Sequence, residues 1–293
     1  MRLAALLVHL LAVAGQPAAD PAWVAPMRAV HARFTGTPGT LALFGDSITV
    51  SLGFWAPLDG APKNLPGDDA AALAAGRGHM KADCWRAWRG PDYGNKGRMT
   101  VRWADENVDA WLKKLNPEAA VLLFGTNDLG LLDAKEYESK TRAVVERCLK
   151  NGTVVVLTTL PPRGGMLEKS RPFADVQRRG AVAYQLPLAD YQAEILRRRP
   201  TDWDGSLPQF KADAADVYQV PTLIAGAGVH PSNPARHADY SDDALSKNGF
   251  QLRNVLTMRA YAEVTCPPEL GGRKSAARLF PPQASLMSST GSA

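Results

Sequence analysis

Four short segments hold residue types that together suit acyl transfer. An apolar run, Leu41 to Phe44, stops at Gly45-Asp46-Ser47 and presents a serine. A second run, 119–124, ends in Gly125-Thr126-Asn127-Asp128. Asn95-Lys96-Gly97 lies between them, and Gly228-Val229-His230-Pro231-Ser232 comes much later. A serine nucleophile needs a base within hydrogen-bond reach, usually His, and donors aimed at the developing oxyanion. An acid that orients the His adds to the rate. Ser47 sits where a strand turns toward a helix, so its hydroxyl and its own N–H can face one space. Asn127 offers a side-chain amide, and Gly97 a backbone N–H with no Cβ in front of it. Of the five histidines, His9 falls in the N-terminal apolar stretch, His31 precedes the first strand and His79 lies in a long insertion. His230 and His237 remain. His230 is the better base, because it follows small residues, precedes a proline and lies after the last strand.

Each segment alone also fits an ordinary role. Gly-Asp-Ser suits a turn that caps the next helix, Gly-Thr-Asn-Asp a strand end, and a lone His a structural contact. Order and placement carry the argument. "TLALFGDS" (40–47), "AAVLLFGTND" (119–128) and "TVVVLTTLPP" (153–162) are short, continuously apolar runs bounded by turn residues, which is the pattern of buried strands. "WADENVDAWLKKL" (103–115) and "AKEYESKTRAVVERCLKNG" (134–152) have helical spacing, the second stopped by Asn-Gly. "AVAYQLPLADYQAEIL" (181–196) reads as a strand running into a helix, and 241–264 holds a closing helix with Gly249 as an interruption. Residues 55–100 read as a long elaborated loop region. Buried strands alternating with amphipathic helices mean a parallel sheet covered on both faces. In such sheets the site forms beyond the carboxyl ends of the strands, which is where Ser47, Asn127 and Thr158-Thr159 fall.

"FGDSI", "NKG", "FGTND" and "GVHPS", in that order, resemble the four blocks of the SGNH hydrolases, also called the GDSL esterase/lipase family. The resemblance spans residues 40 to 264. It implies a flavodoxin-like, three-layer α/β/α fold with a central parallel sheet. It also implies Ser47 as nucleophile, His230 as base, and an oxyanion hole made of the Ser47 and Gly97 N–H groups and the Asn127 side chain. No cofactor and no metal are implied. The absence of a G-x-S-x-G elbow separates the chain from the ordinary α/β-hydrolases. One departure stands out. The family's last block reads Asp-x-x-His, and this chain has Ala227 three positions before His230. Three arrangements fit this departure: a Ser–His dyad with a backbone carbonyl holding the imidazole, an acid substituting from elsewhere (Asp202, Asp204 or Asp239), or loss of catalysis.

The expected function is therefore a serine esterase acting on a carboxylic ester through an acyl-enzyme, with O-acetylated carbohydrate as one candidate substrate. The alternative is a catalytically impaired protein that binds an acylated carbohydrate in the same cleft. "CWRAWRG" (84–90), with Trp55 and Trp103, offers either aromatic platforms for sugars or packing for the insertion. A flavin- or nucleotide-binding domain is disfavoured, because no Gly-rich phosphate loop follows the first strand.

The remaining features bound the setting. With 45% hydrophobic and 22% charged residues the composition is that of an ordinary globular protein. A net charge of +5 over 293 residues, with the basic residues scattered, does not argue for nucleic acid. Residues 1–19 read as a secretory signal peptide, with a buried N-terminal helix as the other reading; the expected location is secreted or periplasmic. Residues 20–38 are an exposed lead-in, 39–265 the hydrolase-like domain, and 266–293 a disordered tail rich in Pro, Ser and Gly. No later segment suits a membrane span. Cys84, Cys148 and Cys266 fit one disulfide and a free thiol, or three buried thiols. Asn151-Gly152-Thr153 fits a glycosylation sequon but better a helix-to-strand turn. Oligomeric state is not legible.

Overall fold

The computed structural model describes residues 20–213, 216–234 and 239–265. The expected signal peptide, the expected tail, Cys266 and His237 lie outside the described residues.

Four strands form one parallel sheet in the order β1-β2-β3-β4: β1 Leu41–Gly45, β2 Ala119–Leu123, β3 Val154–Thr158 and β4 Leu188–Ala189. Leu41 pairs with Ala119, and Ala119 with Val154, so the first three strands start level. All their residues are buried, which is why they read as continuous apolar runs rather than alternating ones. Among the described residues there are ten α-helices: α1 Val24–His31, α2 Ser47–Val50, α3 Gly67–His79, α4 Asp83–Arg86, α5 Val101–Leu115, α6 Ala134–Lys150, α7 Leu167–Ala183, α8 Tyr191–Arg198, α9 Asp242–Leu245 and α10 Gly249–Thr265. Helix α6 packs between α5 and α7, while α10 packs on α3 and α8 and against β3 and β4. The result is the expected three-layer α/β/α arrangement.

Four elements differ from the sequence reading, the first being residues 20–38, which are not an exposed lead-in but form α1 with Val24, Met27 and Val30 buried. Residues 55–100 are not one loop, since 13 of them form α3. Three glycines, at 67, 76 and 78, dilute its helical pattern, but Asp68 and Asp69 sit in its first turn and Arg77 and His79 in its last, which complements the helix dipole. Packing on α10 supplies the rest. Helix α7 contains Pro172, a residue that normally marks a break. Its last turn takes Ala181–Ala183, so the strand expected there shrinks to Leu188–Ala189. Gly249 starts α10 instead of interrupting a helix. A Cβ there would meet the Leu223 carbonyl oxygen at 2.0 Å, so only glycine permits that approach.

The opposite end of the sheet is closed by a buried carboxylate. Glu118, just before β2, accepts from the Gly39 amide at 2.6 Å and contacts His31 Nε2 at 3.0 Å and His79 Nε2 at 2.7 Å. It joins α1 and α3 to the sheet.

Candidate active site

Strand β1 ends at Gly45, where a Cβ would lie 2.1 Å from Thr49 Oγ1 and 2.6 Å from the Leu123 carbonyl oxygen. The bare backbone lets the chain turn at once into α2. Asp46 is the N-cap: its Oδ1 accepts from the Ile48 amide at 3.0 Å. Ser47 is therefore the first residue of α2, where an N–H has no intrahelical acceptor and stays available to a ligand. The carbonyls at the other end of this short helix are met by two arginines. Arg253, fully buried in α10, donates to the Ile48 carbonyl at 2.8 Å and to Thr49 Oγ1 at 3.0 Å. Its guanidinium lies 3.5 Å from the centre of the Phe54 ring. Arg89 donates to the carbonyls of Thr49 and Phe54. Burial pushes Arg253 down to about 9 and Arg89 to about 10.

Asn127 follows β2. Its Nδ2 donates to Asp46 Oδ2 at 3.1 Å and to the Met99 carbonyl at 2.9 Å. Both amide protons are thus engaged, and reaching an oxyanion requires sharing or releasing the Met99 contact. Burial pushes the Asp46 carboxyl up to about 7, helped by Asp128, while the Ile48 amide and Arg253 favour the ionised form. Asp128 is pushed up to about 6 by burial, against the Val101 amide that it accepts at the start of α5.

Gly97 is placed by Asn95, which is fully buried. Asn95 Nδ2 donates to the Leu43 carbonyl at 2.9 Å and to that of Trp88 at 3.2 Å, and its Oδ1 accepts from the Gly90 amide at 2.9 Å. A single parallel bridge joins Asn95 to Gly45 on the outer side of β1. A Cβ built on Gly97 meets one atom within 4 Å, the Ser47 Cβ at 3.9 Å. Gly97 therefore lies beside Ser47 and opens onto the cleft.

His230 comes from the long segment between α8 and α9. Its Nε2 lies 2.9 Å from Ser47 Oγ. Its Nδ1 lies 3.2 Å from the Tyr218 hydroxyl. Burial, and next the positive Arg163, lower the imidazole below its ordinary value. Arg163 is itself held at the strand ends by donating to the Thr126 carbonyl at 2.8 Å.

None of the three expected substitute acids takes the Nδ1 position. Asp202 is paired with Arg199. Asp204 accepts from the Ser206 amide at 2.9 Å and lies against Gly164. Asp239 accepts from Asn64 at 3.0 Å and from the Ser241 amide. Each carboxylate is held by a neighbour, and the ring nitrogen meets Tyr218 instead. Sequence reasoning missed Tyr218, Arg253, Arg89 and Arg163, which lie outside the four blocks; nothing in the local pattern marks them.

Two of the tryptophans pack the insertion, and Trp88 and Trp103 are half-buried against the core. Trp55 and Trp85 are buried and stack at 5.3 Å, and Trp103 meets Trp111 at 4.7 Å. Cys84 and Cys148 are separate buried thiols, raised by burial to about 11 and about 12. Asn151 ends α6 and donates to Asn116 and Thr153 in the turn into β3. Among the described residues no group of three or more His, Cys, Asp or Glu side chains is arranged to hold a metal ion, and no helix is long and apolar enough to cross a membrane.

Residues 43–237 match the model of the GDSL-like lipase/acylhydrolase family. The chain belongs to this family. It is an ester hydrolase of the SGNH type. The matched span contains Ser47, Gly97, Asn127 and His230. A G-D-S-L-family protein from Desulfitobacterium hafniense DCB-2, described as a putative lipolytic protein, superimposes with 13% identity over 76% of this chain and 99% of its own, TM-score 0.46. A lipase/acylhydrolase from Enterococcus faecalis gives 16%, 76%, 95% and 0.46. The psychrotrophic esterase EstA from Pseudoalteromonas sp. gives 14%, 77%, 97% and 0.47. No curated protein matches the sequence.

Proposed function

We propose that the protein hydrolyses a carboxylic ester through an acyl-enzyme, with Ser47 as nucleophile and His230 as general base. The observation that carries this is the 2.9 Å contact between Ser47 Oγ and His230 Nε2, made by residues 183 positions apart. Nε2 takes the hydroxyl proton as Oγ attacks the ester carbonyl carbon. The resulting oxyanion meets the Ser47 amide at the start of α2 and the Gly97 amide beside it, with Asn127 turning from Met99 as the third donor. His230 then passes the proton to the departing alkoxide, which leaves Ser47 acylated. A water that gives its proton to Nε2 attacks the acyl carbon, and the collapse returns the acid and the free serine.

The acyl group and alcohol are open. Of the tryptophans that suggested a sugar platform, Trp55 and Trp85 are buried and lend an O-acetylated carbohydrate no support, while Trp88 and Trp103 are half-buried. The proposed location outside the cytoplasm rests on residues 1–19 alone.

The test is labelling with a fluorophosphonate, followed by peptide mapping and by hydrolysis of p-nitrophenyl acetate and acetylated oligosaccharide. Modification of Ser47 in the wild type, absent in Ser47→Ala and His230→Ala, is the expected result. Folded wild-type protein that resists the probe and hydrolyses neither ester would leave the binding-protein alternative.

A further inference from the structure

We propose that Tyr218 is the positioning residue for His230 and stands where the family pattern has an Asp. This rests on the reading of His230 as the base. The Tyr218 hydroxyl is 3.2 Å from Nδ1, and the two rings lie 5.9 Å apart, tilted by 39°. Tyr218 is not a passing neighbour. Its amide donates to Asp216 Oδ1 at 3.0 Å, and its carbonyl accepts from the Asn233 amide at 2.7 Å. One residue earlier, the Val217 carbonyl accepts from the Gly226 amide at 2.8 Å. The loop is closed on the other side by the Ala225 amide, which donates to the His230 carbonyl at 2.8 Å. Tyr218 and His230 therefore belong to one hydrogen-bonded unit. Ala227 sits exposed in its turn and brings no acceptor.

The phenol differs from a carboxylate in two ways. A carboxylate only accepts, so it fixes the proton on Nδ1 and leaves Nε2 free to take the serine proton. A hydroxyl both donates and accepts. With Nδ1–H donating to Tyr218, His230 is ready to act. With Tyr218 donating to Nδ1, the proton sits on Nε2 and the ring cannot serve as base. The phenol also brings no negative charge to balance the imidazolium. Burial and Asp216 raise Tyr218 above its ordinary value, so it stays neutral. The groups facing the ring are Ser47 from α2, Tyr218 and the positive Arg163; Asp204 lies against Gly164. Tyr218 thus orients the base, and does so less completely than an acid.

The test is Tyr218→Phe, which keeps the ring and removes the hydroxyl. Two readouts are taken: the steady-state constants against pH for p-nitrophenyl acetate, and the titration of the His230 ring nitrogens by 15N NMR. The expected result is a fall in kcat of roughly five- to twentyfold, the scale of one hydrogen bond, with KM and melting temperature held. The imidazole should also titrate at lower pH than in the wild type, because the charged ring loses its acceptor. A His230 titration and kcat both unchanged in Tyr218→Phe would overturn the proposal. The NMR titration reads the contact whether or not the enzyme turns over. A shifted titration in a protein whose Ser47 resists fluorophosphonate would therefore keep the Tyr218 contact and sink the esterase reading alone.

Discussion

Asp46 and Asn127, 81 positions apart, are joined by a hydrogen bond of 3.1 Å. The same carboxylate caps α2 through the Ile48 amide. One side chain therefore sets both the helix that starts at Ser47 and the amide expected to meet the oxyanion.

Removing it should damage both. Asp46→Ala should cost about 1 kcal/mol of stability through the lost cap. It should also lower kcat by tenfold or more, since about 1.4 kcal/mol of lost transition-state stabilisation is already tenfold. Thermal melts and steady-state kinetics check this. A variant with reduced stability and wild-type kcat would show that Asn127 does not need Asp46.

The acid limb of the pH–rate profile should lie below the ordinary histidine value of about 6.5. Burial and the Arg163 charge both disfavour the imidazolium, so His230 remains a neutral base to lower pH than an ordinary imidazole. Arg163→Gln removes one of those causes and should move the limb of kcat/KM upward. An acid limb above 7 in the wild type would contradict the arrangement.

Stability should fall in acid for a reason remote from the site. Burial alone would raise the Glu118 carboxyl, but the hydrogen bonds from His31, His79 and the Gly39 amide outweigh it and hold it below its ordinary value. A carboxyl with a depressed folded pKa stabilises the fold above its unfolded value, and the contribution is lost as pH falls through the folded one. Glu118→Gln should cost about 1.5–3 kcal/mol at pH 7, the range for hydrogen bonds to a charged group. It should also flatten the dependence of stability on pH below about 4.5, and leave kcat unchanged. Chemical denaturation at several pH values tests all three.

The strands and the two outer helices α5 and α6 were legible because their patterns are local: a five-residue apolar run or a 3.6-residue stripe needs no partner to be seen. The blocks around Ser47, Asn127 and His230 were legible for the same reason. Helix α3 and helix α7 were hidden by Gly76, Gly78 and Pro172, residues whose local cost is met by packing that the sequence does not display. Tyr218 was hidden more deeply. It reaches His230 from 12 positions away in a loop with no periodic pattern, so only the folded path of residues 216–233 brings the two rings together. The three Asp candidates were chosen by proximity in sequence, and each proved to serve its own neighbourhood.

The buried Arg253 gives the nucleophile a dependence on chain completion. The four sequence blocks, from Ser47 to His230, all precede residue 253 in the chain. Yet the carbonyl of Ile48 waits for a donor 205 positions further on. Without α10 the Ile48 carbonyl and the Thr49 hydroxyl would lack their guanidinium partner, and the turn at Ser47 would be held by the Asp46 cap and by Arg89 alone.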